Sequence, residues 1–381
     1  MNGMAFRLLA FFVLIFSTTT GFSARRMNQP TPPPAPSSQH PAGYDQGHAA
    51  EPHQMVSGYN APARHDVNGD WDIFIMGDFI YWQPRQGNMA LATAVPVASP
   101  GILISNATVI EQKFSWKPGF KVGLGMNFGH DDWGGLVEYT WFHNTHRVST
   151  VAPDVFGVGG LIPIWGTYSF FQGGGPLGDG TVGGLNSKWR LGMDLLDFLL
   201  QRTHYVGTKL SARLFFGGRA TWISQSLSLR YTLRPGIVSP VNTTMFDERF
   251  NSSSWALGPR FGMDLNWMLG LGFSLASKLA GDISYTRYTI NHNGDELLVA
   301  GGPGDSISLK TSQLRPHAEA GFGLGWGSYF WNNGFHIQFI ATYDFNVWWD
   351  QNVMNLINNA PLVGSGDLYT HGLDLKVMFD F

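Results

Sequence analysis

The stretch Leu373-Asp-Leu-Lys-Val-Met-Phe-Asp-Phe381 decides how the rest of the chain is read. Leu373, Leu375, Val377, Phe379 and Phe381 fall on one face of an extended chain; Asp374, Lys376, Met378 and Asp380 fall on the other. Side chains of a strand alternate in direction with period 2, so this is a strand with one apolar face. The alternation runs to the last aromatic, whereas the ends of soluble domains usually fray. A barrel closed in a membrane supplies a reason, because its last strand must pair with its first to leave no open edge in lipid.

The same alternation recurs upstream. In 113–128, Phe114, Trp116, Phe120, Val122, Leu124, Met126 and Phe128 oppose Lys113, Ser115, Lys117, Gly119, Lys121 and Asn127. In 254–267, Trp255, Leu257, Phe261, Met263, Leu265 and Trp267 oppose Arg260, Asp264 and Asn266. Segments 313–326 and 335–347 repeat the pattern, with Arg315, His317 and Glu319 on one polar face and His336, Gln338 and Asp344 on the other. Less regular strands fill 71–83, 134–149, 187–201, 208–233 and 271–291. Two of these switch phase, near Leu195–Leu196 and near Ile223–Gln225, which predicts β-bulges there.

Connections alternate in length. Short ones fall near 129–133, 202–207, 268–270 and 328–332, and long ones near 84–112, 151–186, 234–250, 292–307 and 350–366. That is the asymmetry of an outer-membrane barrel, with tight periplasmic turns and long external loops. The fold class is therefore all-β: a transmembrane antiparallel up-and-down barrel over 67–381. Ten strands are clear, and the range is ten to fourteen. Twelve is preferred, with a further hairpin expected at Met89–Val97 or Trp165–Phe171. Girdle aromatics are expected at strand ends, among them Trp71, Tyr81, Trp82, Trp116, Trp189, Trp255, Trp267, Trp326, Trp348 and Trp349.

Composition agrees. Of 381 residues 13% are charged and 14% aromatic, with 48 glycines; a soluble chain carries roughly 25% charged residues. Mean hydropathy is only −0.06, as befits walls that show lipid every second residue. The formal net charge of −3 with no basic run predicts no nucleic-acid partner. Cysteine is absent, which removes disulfides and thiolate metal sites.

Arg7 followed by the apolar run Leu8–Phe16 has the form of a signal peptide, placed at 1–24 with cleavage near Gly21 or Ala24. Residues 25–66 hold eight of the 21 prolines and four histidines, His40, His48, His53 and His65. Such a segment cannot bury a core and is read as a solvated periplasmic arm.

Four segments resemble the major outer membrane protein family of Legionella, which has relatives in environmental chlamydia-like bacteria. They are Asp78–Gln83, Trp116–Trp133 (the most specific), Glu138–His143 and Gly217–Ile223. The likeness runs more weakly over most of 71–381. It implies an abundant porin-like barrel in the outer membrane of a Gram-negative cell, with lipid around it and small polar solutes as cargo. The terminal Phe381, with Phe379, is similar to the signal that the barrel-assembly machinery reads. Members of such families are often cross-linked through cysteines, so any homo-oligomer of this chain is expected to lack disulfides.

If apolar faces look outward, the inward charges follow. The predicted pore lining is Lys117, Lys121, Glu138, Arg190, Asp194, Arg213, Arg219, Arg260, Asp264, Lys278, Asp282, Arg315, Glu319, Asp344, Asp374 and Lys376, with Lys113, Lys188, Asp72, Asp78 and Asp380 sharing the phase. Bases and acids nearly balance, which predicts no strong ion selectivity. Such a lumen either passes small hydrophilic solutes or is shut by mutual ion pairs, leaving a surface barrel for adhesion or envelope structure. Strand number bears on the choice, since about eight strands fill their own interior.

Other chemistry is weakly signalled. Gly321–Gly327 alternates glycine with apolar residues along a strand and lacks the lysine of a phosphate loop, so no nucleotide or other cofactor is expected. His143 and His146 would share a face on a helix but not on a strand, so no metal is expected. His317 with Glu319, and His336 with Asp344, are the candidates for an outer-membrane hydrolase. No serine motif accompanies them, and the chain is read as not an enzyme.

Overall fold

The computed structural model describes residues 67, 72–95, 107–128, 132–152, 160–166, 182–233, 244–295, 306–358 and 364–381. The expected signal peptide, proline-rich arm and Trp71 lie outside these residues. Among the described residues there are thirteen strands: β1 (Ile73–Gln86), β2 (Ala90–Val95), β3 (Thr108–Glu111), β4 (Lys117–Asn127), β5 (Trp133–Val151), β6 (Gly160–Pro163), β7 (Gly184–Val206), β8 (Leu210–Thr232), β9 (Met245–Gly270), β10 (Phe273–Gly294), β11 (Ser306–Phe330), β12 (Phe335–Asn352) and β13 (Gly366–Asp380). A single-turn 3-10 helix, Met354–Ile357, precedes β13.

Ten strands close a barrel in the order β1-β13-β12-β11-β10-β9-β8-β7-β5-β4. The seam is antiparallel and in register from Phe74 opposite Asp380 to Gln86 opposite Leu368. Beyond it, Ile73 and Phe381 exchange two backbone hydrogen bonds. Every edge is thereby paired, the condition for crossing lipid with strands.

The ring has ten strands, not the preferred twelve. The extra strands exist but stand apart from the wall, as a three-stranded sheet β3-β2-β6. They are four to six residues long, and a membrane-crossing strand needs about 9–11. The hairpin expected at Met89–Val97 is thus half right, since β2 is a strand of another sheet. Most of Trp165–Phe171 lies outside the described residues.

Tight turns join β7 to β8, β9 to β10 and β11 to β12 at one end, and all long connections leave from the other. The β9–β10 turn needs Gly270, Leu271 and Gly272 at φ of +114°, +53° and +81°. A Cβ on Gly272 would stand 2.4 Å from the Gly327 carbonyl oxygen, so only glycine fits there.

No bulge occurs at either predicted phase switch. β7 pairs β8 without interruption from Gly184 opposite Thr232 to Val206 opposite Leu210, and β8 pairs β9 equally regularly. What changes along the strands is their surroundings. On β8, Leu214, Phe216, Ala220 and Trp222 face outward; beyond Trp222 the outward residues are Ser224, Ser226, Ser228 and Arg230, while Ile223, Leu227, Leu229 and Tyr231 face inward and are buried. On β9, outward Phe261, Leu257 and Trp255 give way to Ser253, Asn251, Arg249 and Asp247. The wall leaves the apolar belt and continues outward as an ordinary water-exposed sheet around an apolar core.

That core is filled by the loops. Leu91, Ala92, Leu161, Trp165, Val182, Val353, Met354 and Ile357 pack with inward Trp189, Leu191, Leu227, Tyr231, Phe250, Tyr288 and Ile290 in one cluster. Trp82, Trp189 and Trp348, expected in a girdle, belong to this interior instead. Trp116, Trp255, Trp267, Trp326 and Trp349 do face outward.

Candidate functional site

The barrel interior is the candidate site, and its contents are stacked in three levels. At the external end sits the loop stopper. Trp165 donates its indole N–H to the Ala90 carbonyl at 2.7 Å and stacks edge-on against Phe250. The Tyr231 hydroxyl donates to the Trp165 carbonyl at 2.8 Å, and the Asn358 amide donates to the Ile164 carbonyl at 3.0 Å. The small sheet, the 3-10 helix and the wall are therefore tied by hydrogen bonds as well as by packing.

Beneath the stopper lies a belt of buried charge. Inward positions of neighbouring strands fall in register: Glu138 faces Asp197 across β5–β7, Asp197 faces Arg219 across β7–β8, and Asp282 faces both Arg260 and His317. Arg219 grips Asp197 through two hydrogen bonds of 2.6 Å and reaches Asp282 at 3.5 Å. Arg260 donates to Glu319 at 2.5 Å, and Lys278 binds the other Glu319 oxygen at 2.7 Å. Lys121 holds Asp374 at 2.5 Å with Asp344 at 3.7 Å, and Lys376 approaches Asp78 at 3.4 Å. Arg260 is 2% and Glu319 5% exposed, so this belt fills the lumen rather than lining a clear passage. Bidentate guanidinium–carboxylate pairs suit such a site, because buried charges need both a partner and satisfied geometry.

On the turn side of the belt the interior opens into a vestibule of about 340 Å³ with a mixed lining, polar at Ser211, Arg213, Asp264 and Lys376 and apolar at Phe74, Met76 and Met378. Arg213 and Asp264 form an ion pair there. A larger hollow of about 1080 Å³ lies against apolar residues of the outer wall, among them Phe261, Leu279, Ala318 and Phe345. It carries none of the lumen's paired charges except Glu319 at its margin.

Most of the predicted lining occupies inward positions: Lys117, Lys121, Glu138, Arg213, Arg219, Arg260, Asp264, Lys278, Asp282, Arg315, Glu319, Asp344, Asp374 and Lys376. Arg315 sits higher, at 3.2 Å from Asp350. Arg190 and Asp194 do not line the lumen. They alternate with buried Trp189, Leu191, Met193 and Leu195 and face outward, as does Lys188. The misassignment follows from the inversion above, since on this part of β7 the apolar face is the inner one. Asp194 instead accepts a hydrogen bond from the Tyr139 hydroxyl at 2.5 Å and pairs with His143 at 2.9 Å. The same inversion hid Asp197, which is 1% exposed.

The histidines offered for catalysis are structural neighbours of acids. His317 contacts Asp282 at 2.7 Å and stacks on Trp348. His336 pairs with Asp380 at 2.8 Å and not with Asp344. His143 and His146 fall on opposite faces of β5.

The family described as Legionella pneumophila major outer membrane protein precursor matches residues 65–381. No curated protein matches the chain. Solved structures with some similarity are the Escherichia coli outer membrane protease OmpT (11% identity, 83% of this chain and 98% of that one, TM-score 0.42), a major outer membrane protein from Thermus thermophilus (11%, 80% and 99%, 0.26) and the P. putida toluene transporter TodX (9%, 82% and 90%, 0.28). Similarity at this level says nothing about what the chain does.

Proposed function

This chain belongs to the Legionella major outer membrane protein family, and we propose that it is a porin whose lumen is shut at rest and admits small hydrophilic solutes when its loop stopper leaves. It is an outer-membrane β-barrel. One observation carries the reading: the external mouth is blocked by loop residues, Leu91, Leu161, Trp165 and Met354, packed against inward side chains of the wall. The ring of ten strands closes through its own interstrand pairing, and β2, β3 and β6 stand outside that ring. A vestibule lined by both polar and apolar side chains lies below. The belt between them is built of long, jointed side chains, which can swing aside where a packed sheet cannot.

The transport step is passive diffusion, and no catalytic residue is assigned. His317 is enclosed by Arg219, Asp282 and Trp348, which leaves the hydrolase reading without a nucleophile at that histidine. A second reading is favoured by the belt itself. Arg219, Asp197, Asp282, Arg260 and Glu319 are nearly solvent-free, as expected if they permanently cross-brace a non-conducting barrel that serves adhesion or envelope structure. Swelling of proteoliposomes in isosmotic monosaccharide separates the two. A porin gives slow swelling that stops with larger oligosaccharides; a cross-braced barrel gives the rate of protein-free liposomes.

A further inference from the structure

Above the outward aromatics, the β5–β7–β8 wall carries positive charge with no counter-ion among the described residues. Arg147 and Lys188 stand directly opposite each other across β5 and β7, and Arg190 lies two residues along on the same outward face. Directly opposed like charges cost stability in an antiparallel pair. Nothing nearby in the sheet relieves this. The registered neighbours of Arg190 are Thr145 and Ser226, and that of Lys188 on β8 is Ser228. Among the described residues none of the three bases is in an ion pair. The next base on this face, Arg230, is already held by Asp247 through two bonds of 2.7 Å. The outward acid below, Asp194, is occupied by Tyr139 and His143.

The height of the cluster says what belongs on it. Trp141, Asp194, Trp222 and Trp255 form one registered row across β5, β7, β8 and β9. Outward tryptophans mark the level of lipid headgroups. Arg190 is four residues outboard of Asp194 on β7, about 10 Å higher for a strand rising ~3.4 Å per residue at a tilt of ~40°. The cluster therefore stands beside the sugar–phosphate zone of the outer leaflet and above its acyl chains.

We propose that Arg147, Lys188 and Arg190 form a binding site for the phosphorylated sugar headgroup of the outer-leaflet glycolipid. Two guanidinium forks and an ammonium offer the donors that a phosphate accepts, and the surrounding Thr145, Ser226 and Ser228 add hydroxyls. The bound anion removes the repulsion that the bare wall carries. The site lies outside the lumen, so it stands whether or not the barrel conducts.

The test uses the full barrel in detergent with lipid A as the probe. Lipid A retained per barrel is counted by native mass spectrometry, for wild type and for Arg147→Ser/Lys188→Ser/Arg190→Ser, with folding checked by heat-modifiable mobility on gels. The expected result is retention by wild type, weakened on the order of a hundredfold in the triple variant, because each substitution removes one basic group from the lipid surface. Arg190→Gln alone gives an intermediate loss. Dephosphorylated lipid A binds wild type as poorly as the variant binds lipid A, and inorganic phosphate does not displace the lipid. Equal retention by wild type and triple variant, or equal binding of the dephosphorylated lipid, overturns the proposal. Displacement by inorganic phosphate overturns the lipid assignment, and makes the cluster a free-phosphate site.

Discussion

Ile73 donates its backbone N–H to the Phe381 carbonyl at 3.1 Å, and Phe381 donates to the Ile73 carbonyl at 3.0 Å. The two residues are the outermost rungs of the seam between the first and last strands, so the ring closes through main chain alone. The Phe381 side chain is free to do something else, stacking beside Phe379 on the outer face.

Phe381→Pro removes the N–H and leaves the Ile73 carbonyl without its donor, whereas Phe381→Leu keeps both bonds. The proline variant should lose about 1–2 kcal/mol of stability in denaturant unfolding, and the leucine variant much less. If the aromatic is what the assembly machinery reads, Phe381→Leu refolds normally in detergent yet reaches the outer membrane of cells poorly. Equal yields of wild type and Phe381→Leu in cells would remove the assembly role.

Arg219 and Asp197 carry the strongest geometry in the buried belt. Asp197→Asn takes away one charge and leaves a buried guanidinium short of its partner, at a cost of about 3–5 kcal/mol. Replacing both, as Arg219→Met/Asp197→Leu, should cost far less than either single change, because no orphaned charge remains. Equilibrium urea unfolding in detergent measures each. A single substitution as mild as the double would mean that water reaches the belt freely.

The absence of cysteine makes face assignments directly testable. Ser228→Cys faces out above the apolar belt, Phe216→Cys faces out within it, and Leu227→Cys faces the packed interior. A polar maleimide applied to the purified, lipid A-free barrel in detergent should label Ser228→Cys and spare the other two. Labelling of Leu227→Cys with protection of Ser228→Cys would place a bulge in β8.

These positions also show where sequence reading stops. Strands β9 to β13 were legible where outward Phe261, Leu324 or Phe345 alternates with inward Arg260, Gly323 or Asp344 inside the belt, because lipid selects one face alone. Lys188, Arg190 and Asp194 were misplaced because the rule "apolar outward" holds only at membrane depth. Beyond Trp222 the same alternation persists with the apolar residues turned toward Trp165 and Leu161. Periodicity records that one face is buried, not what buries it. The buried Asp197 was lost to the same inversion. The count of ten to fourteen holds, and only the preference for twelve fails, for a related reason: β2 and β6 have strand-like composition, but only their lengths and their partners reveal that they stand outside the ring.

The closure of the lumen by loops is tested most directly by single-channel recording in planar bilayers. The comparison is wild type against a chain in which Gly160–Gly166 is replaced by glycine and serine at equal length. Removing Trp165 with its neighbours forfeits at least about 3 kcal/mol of packing, on the order of a hundredfold in the balance between stoppered and open forms. Rare, brief openings are expected for wild type and a largely open variant, with the wall's thermal stability little changed. Silence from both would contradict that expectation, and would leave the ion-pair belt as a permanent seal across a barrel that does not conduct.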